Sequence, residues 1–286
     1  MPLDTQQFGV SRYWLAAALK YVPAIPDIFV PSKQLSQARK LFLAGKNQLA
    51  AIRNWLSGAG VIEAAKGQVK LSELGQLMAA QDARAETAWT WWLFHLHLCV
   101  NPDAFPYSAF FLNYDAEGRW MSLDDIVDFL HKHAEATGIS IAKNSVDTYF
   151  HGVAQTFHTG GFIHELALVE ERTLGEGGKK VRRRLGRPED TLVAYAASLF
   201  QRQFYPGQPT VEARDILSKG LARALGIRDS DVRESLSRIS TNKDLSQYVQ
   251  YRQQVNQDSI QFLRPAEATL RDIRISGYQS LTVKWQ

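Results

Sequence analysis

Cys99 is the only cysteine in the chain, which excludes an intramolecular disulfide and fits a reducing cytosol. Long apolar runs are missing too. No stretch reaches the ~18 uninterrupted apolar residues of a membrane span. The most apolar one, residues 91–100, contains two histidines and stops at Asn101-Pro102. The opening Met1-Pro2-Leu3-Asp4 has no basic region leading into an apolar core, so no signal peptide is expected. These absences predict a cytoplasmic protein with no membrane partner.

Signatures of catalysis are as scarce. Gly45-Lys46 is followed by Asn47 instead of Ser or Thr, position 40 is Lys40, and Gly178-Lys179 lacks the required spacing, so neither is a phosphate loop. No GxSxG, GxGxxG, HExxH or CxxC occurs. Asp124, Asp125 and Asp128 fall in the first turns of a capped helix, where acids balance the helix dipole. All seven histidines lie between His95 and His164. His95 and Cys99 have the i, i+4 spacing of a zinc pair, but only one thiolate is available and the neighbours of His95 are apolar, which points to a core histidine. No metal, no cofactor and no enzymatic activity are expected.

What is present is helix periodicity and an uneven charge distribution. Residues 12–22 read as a helix, and Pro23, Pro26 and Pro31 break the chain after it. Ser32 is placed to cap a second helix with Leu35, Ala38, Leu41 and Phe42 on one face. A turn at Ala44-Gly45 leads to a third helix from about Asn47, carrying Leu49, Ile52 and Leu56 and ending at Gly58 and Gly60. Val61-Ile62 and Val69-Leu71 read as short strands, and Ser72 opens another helix. This order predicts a winged helix, whose second helix enters a major groove while the hairpin touches the flanking backbone.

Residues 87–120 are aromatic-rich, from Trp89 to Trp120, and read as a joining core. From Ser122 the pattern returns. One helix carries Ile126, Phe129 and Leu130. A second, after Lys143-Asn144, carries Val146, Tyr149, Phe150, Val153 and Phe157. Phe162-Ile163 is expected to begin a strand, and residues 166–187 a wing with its tip at Gly175-Glu176-Gly177-Gly178. Thr210 is expected to cap a helix over 211–225. Another follows over 230–239, and Leu281–Trp285 alternates like a strand. The expected fold class is mainly α, with winged-helix modules bearing small β-hairpin wings and a helical C-terminal region. Its segments are 1–85, 86–120, 121–205 and 206–286.

Between Lys33 and Lys70 there are seven basic residues and one acid, whereas residues 71–170 hold 13 acids and four basic residues. A basic patch on a small helical module is the electrostatic footprint of a phosphate-backbone binder. At the head of the third helix, Lys46, Asn47 and Gln48, with Arg53 and Asn54 further along, suit phosphates and base edges. Lys66 and Lys70 on the first hairpin and Lys143 and Asn144 in the second module extend the candidate DNA-binding set. A solvated polar face, or a winged helix that binds protein, explains the same pattern. Lys179, Lys180, Arg182, Arg183, Arg184 and Arg187 form a second set, on a basic hairpin suited to tracking a DNA backbone. A solvated loop beside an acidic domain is the alternative there.

Residues 44–56, AGKNQLAAIRNWL, resemble the "GKNMVRxIRYWL" signature of the DUF4007 family. Trp91–His97 followed by Asn101-Pro102 is similar to that family's "LWLLHWxLxxNP" segment, and residues 140–157 to its "SENTLKRDVxxLLRxY" helix. The resemblance spans about residues 8–165. The family's opening "HETF…RYGWLKK" is represented here by Gln6–Leu15, without the His-Glu pair. Relatives of this kind accompany prokaryotic sulfur-modification and phage-defence clusters, including those that place phosphorothioates in DNA. The resemblance therefore implies a non-catalytic, double-stranded-DNA-binding accessory component of such a system, acting with other proteins of the complex. A protein–protein adaptor built on winged helices and a metal-dependent nuclease are the rival readings.

Overall fold

The computed structural model describes residues 2–65, 68–114, 118–173, 178–254 and 257–280, without the side chains of 31–34, 65, 257 and 280. Lys66, the loop tip at Gly175, Glu176 and Gly177, and the strand expected at Leu281–Trp285 lie outside the described residues.

Capping chemistry fixes the first helices. α1 (Arg12–Tyr21) starts where the Ser11 hydroxyl accepts from the Trp14 amide. α2 (Pro31–Phe42) begins with Pro31 in its first turn and has Val30, not Ser32, at the cap. A proline there has its φ preset and its missing N–H is no loss, so Pro31 starts this helix instead of ending a loop. α3 (Lys46–Gly58) follows Leu43, which is left-handed at φ 48°. The Gln48 Oε1 accepts from the Gly45 amide at 2.7 Å and closes its first turn. β1 (Ile62–Ala65) and β2 (Gln68–Leu71) pair antiparallel with Ile62 opposite Leu71, and Ser72 caps α4 (Glu73–Gln81). Helix, turn, helix, hairpin, helix is thus the observed order.

α5 (Ala88–Val100) is apolar all round and almost wholly buried, as a helix must be when every face meets protein. After a 3₁₀ turn, α6 (Tyr107–Asn113) packs on it. Then come β3 (Met121–Ser122), α7 (Leu123–Thr137) and α8 (Lys143–Ala154). Ser122 and Asp125 form a reciprocal capping box at the head of α7. Hydrogen bonds from Ser122 hold the Asp125 carboxyl below its usual pKa.

The strand expected at Phe162-Ile163 is instead α9 (Phe162–Glu165). Phe162 sits among the rings of Trp55, Trp91, Phe94 and Tyr107, at 5.1–6.4 Å between centroids. Ile163 is fully buried beside it. Two adjacent buried side chains remove the in–out alternation that a half-exposed strand needs. β4 (Val169–Thr173) and β5 (Lys179–Arg183) form the expected hairpin, and β3 adds to it in the order β3-β5-β4.

α10 (Asp190–Phe204) leads to β6 (Thr210–Glu212), α11 (Ala213–Ser218) and α12 (Leu221–Leu225), where a single helix over 211–225 is expected. Val211 is drawn into a sheet opposite Ile260. Gly220 then breaks the helix at φ +92°, where a Cβ would lie 2.7 Å from the Leu112 carbonyl oxygen. α13 (Asp229–Thr241) precedes a hairpin that periodicity does not flag, β7 (Val249–Gln254) and β8 (Gln257–Phe262), and α14 (Ala266–Ser280) follows. The sheet order is β6-β8-β7. The two three-stranded sheets therefore share one connectivity, in which a lone strand after a helix pairs with the last strand of a later hairpin. The C-terminal region holds helices and this sheet. The buried hydrophobic residues of the described chain form one continuous core.

Candidate nucleic-acid interface

α3 divides its sequence cleanly between two faces. Leu49, Ala51, Ile52, Trp55 and Leu56 are buried, whereas Lys46, Asn47, Ala50, Arg53 and Ser57 are exposed. Lys46 and Arg53 are two turns apart on that outer face and make no described hydrogen bond or ion pair. Gln48 and Asn54 are partly buried and already engaged. Gln48 caps the helix, and the Asn54 Nδ2 donates to the Asp4 carbonyl at 2.8 Å. Of the five α3 candidates, then, Lys46, Asn47 and Arg53 present free outward groups. Lys70 on β2 is exposed and pairs with Glu63 at 2.8 Å, a surface pair worth ~0–1 kcal/mol that a phosphate could displace.

Two features beside this face escape sequence reading. Residues 3–8 run as a strap between α3 and α8. The Trp55 indole donates to the Phe8 carbonyl, and the Thr5 hydroxyl to the Tyr149 carbonyl, both at 2.8 Å. Along the strap opens a polar cleft of about 430 Å³ with Asp4, Arg53, Ser57, Asp103 and Tyr149 in its walls. At the other end of α3 a hollow of about 130 Å³ is lined by Ile28, Phe29, Leu35 and Leu49 together with Lys46 and Arg53. Neither has a motif, because each is assembled from segments far apart in the chain.

The basic hairpin alternates as a strand does. Lys180 and Arg182 are partly exposed, while Val181 and Arg183 point inward. Lys179 pairs with Glu171 at 3.3 Å and Arg182 with Glu170. The Arg182 guanidinium lies 4.7 Å from the Trp120 ring centroid, with Arg172 at 5.9 Å from it. Trp120, expected in the core, is therefore a half-exposed platform for two arginines. Arg184 and Arg187 are exposed and make no described contact with an acid. Lys143 and Asn144 stand exposed in the first turn of α8.

Arg183 is placed in the interior, not on a surface. It is 8% exposed, donates to the Phe110, Phe111 and Arg223 carbonyls, and lies 4.9 Å over the Phe111 ring. Burial lowers its pKa to about 10, so it stays charged. We leave it out of any nucleic-acid surface.

The chain belongs to the DUF4007 family. The family, described as proteins of unknown function, matches residues 5–274, so the similarity reaches well past the segment its motifs mark. Two solved structures of SspB, one of them magnesium-bound, share the fold. Each has a TM-score of 0.76 and covers 98% of this chain and 88% of the other, at 18% and 17% identity. No curated protein sequence matches.

The histidine-rich centre of this DUF4007 chain is built on α5. His95 is fully buried. Its Nε2 donates to the Ala224 carbonyl at 2.8 Å, which leaves Nδ1 to accept from the Tyr107 hydroxyl at 2.6 Å. Desolvation lowers its pKa to about 3 and pushes the adjacent Cys99 thiol up. His97 meets the Tyr195 hydroxyl at 2.8 Å, and burial, reinforced by Arg274, depresses its pKa well below 6.5. Both imidazoles are neutral hydrogen-bonding parts of the core. Among the described residues no three His, Cys, Asp or Glu side chains are grouped to hold a metal ion, and no helix is long and apolar enough to cross a membrane.

Proposed function

We propose that this DUF4007 protein is a non-catalytic, cytoplasmic binder of double-stranded DNA, acting with other proteins of a DNA-modification or anti-phage system through winged-helix-type units. Family membership and the SspB-like fold fit a phosphorothioation or defence setting. The observation that carries the reading is the basic outer face of α3, the second helix of a helix–turn–helix–hairpin, with Lys46 at its entry and Arg53 two turns on, both exposed and without a described partner. That is where such modules meet the major groove and its phosphates. Repetition of one strand order in the two later sheets supports the same architecture downstream.

The test is a titration of plain and phosphorothioate duplexes at several salt concentrations. Replacing Lys46 and Arg53 together with alanine weakens binding by about 2–3 kcal/mol if each makes a close phosphate or base contact. Unchanged affinity in a folded double variant would end the proposal for α3. One observation favours a second reading, an assembly adaptor. The hollow of Phe29, Leu35 and Leu49, lined also by the same two cations, suits an acidic peptide with an apolar side chain. Indifference to DNA together with saturable binding of such a peptide selects it. Cleavage of the duplex in magnesium would replace both readings with a nuclease.

A further inference from the structure

The polar cleft along the N-terminal strap lies between two helices of similar standing. α3 and α8 are each the last long helix before a β-hairpin, the position from which winged-helix units address a groove. α3 contributes Arg53 and Ser57 to the cleft, α8 contributes Tyr149, the strap contributes Asp4, and the turn after α5 contributes Asp103. The cleft's volume of about 430 Å³ lies within the ~300–1,000 Å³ of sites for small organic groups.

The walls are tied in place by their own hydrogen bonds. The Asn54 amide donates to the Asp4 carbonyl and the Asn101 amide to the Gly58 carbonyl, both at 2.8 Å. The Thr5 hydroxyl holds the strap to the Tyr149 carbonyl at 2.8 Å. Within these walls the Arg53 guanidinium and the Ser57 and Tyr149 hydroxyls are donors without a described partner. Arg53 and Ser57 are one turn apart and both exposed on α3, so they can serve one phosphate together. Tyr149 is half-buried and adds a ring on which a flat group can lie.

Charge decides what else enters. Asp4 and Asp103 are the acids of the lining and Arg53 is its single cation, so a bare phosphate filling the cleft is opposed. The Asp4 carboxylate accepts from the Gln6 backbone and side-chain amides at 3.0 and 2.6 Å, and each oxygen keeps a lone pair for another donor. The lining therefore suits a group with an anion at one end and N–H donors on a flat body at the other, which describes a nucleotide. A paired base cannot enter, because its faces are stacked and its edge is hydrogen-bonded. An unpaired base swung out of the helix can.

We propose, resting on the duplex-binding reading of α3, that this cleft receives one extrahelical nucleotide of the bound DNA. Its phosphate lies at Arg53 and Ser57, and its base lies against Tyr149 within reach of the Asp4 carboxylate. A duplex carrying a one-nucleotide bulge should bind the full chain at least about tenfold tighter than the matched duplex at the same salt, because it has no base to unpair. Tyr149→Ala should bring that ratio close to one, whereas Tyr149→Phe, which keeps the ring, should retain most of it. Cross-linking of the unmodified chain gives a reading that needs no variant. A photoreactive 5-iodouracil placed in the bulge should attach to Tyr149, as located by mass spectrometry of the peptides. Equal affinity for bulged and matched duplexes, a ratio unmoved by Tyr149→Ala, or a cross-link on Trp120 instead would overturn the assignment. Any of these with matched-duplex binding intact leaves the α3 reading standing, whereas failure to bind either duplex ends both.

Discussion

Two adjacent arginines, 183 and 184, show how little a residue's type says about its task. Arg184 is exposed and free of described acids, whereas Arg183 holds three carbonyls, two of them at the end of α6. Arg183→Ala should therefore cost about 2–4 kcal/mol, because buried carbonyls lose their donor. Arg184→Ala should stay within about 0.5 kcal/mol, as surface substitutions do. Urea unfolding of both variants decides it, and equal stabilities would refute the interior role of Arg183. The cluster Lys179–Arg187 is legible from sequence as basic, but its alternation is visible only once Val181 is seen to face the core and to carry Arg183 inward with it. Gly277 is a similar hidden constraint. A Cβ there would come within 2.1–2.2 Å of two Trp89 ring atoms, so α14 approaches α5 only because the side chain is missing. Gly277→Ala should destabilise by about 1–3 kcal/mol through overpacking, read as a lower urea midpoint with the slope unchanged. A variant as stable as the parent would mean that the two helices can move apart freely.

At the scale of elements, caps are readable only in part. Ser72 and Ser122 stand at the heads of α4 and α7 as the sequence implies, whereas Val30 takes the place of Ser32 at α2 and Thr210 lies in β6. Elements defined by distant partners were not readable. β6 exists because Val211 meets Ile260, and in the Gln-rich β7–β8 pair the alternation of Val249 with Tyr251 and of Ile260 with Phe262 is too short to mark strands among polar neighbours. The candidate site divides in the same way. The outward Lys46 and Arg53 follow from helix periodicity, but the strap over α3 and the Trp120 platform arise from contacts across the fold. The platform sharpens one prediction about the basic hairpin. Arg182, Arg184 and Arg187 are the arginines of the basic set that remain once Arg183 is assigned to the core. If they clamp a DNA backbone, neutralising all three to glutamine should flatten the log–log salt dependence of duplex binding by up to about 3 units, and should do so equally for every sequence. An unchanged slope in a folded variant would mean that this hairpin faces solvent or a protein.

Across the whole molecule α5 is the member on which the other parts close. Trp91 stacks on Phe162 of α9, Trp89 donates to the Arg274 carbonyl of α14, His97 reaches Tyr195 of α10, and His95 reaches the Ala224 carbonyl of α12. The buried histidines tie the stability of this assembly to pH. His95 titrates at about 3 in the folded chain against an ordinary 6.5, so the unfolded chain takes up its proton first. Its contribution is complete above about pH 6.5 and is lost as pH falls toward 3. Between about pH 7 and 5 the loss for this one residue is on the order of 2 kcal/mol. His97, depressed in the same direction, steepens the fall. Urea unfolding over that range should show stability dropping as pH falls. His95→Gln should reduce the slope by close to one proton, because an amide can still donate to Ala224 and accept from Tyr107 without titrating. A parent protein equally stable at both ends of the range, or a His95→Gln variant with the parental slope, would show that the imidazole at the centre of the core is not held neutral by its burial.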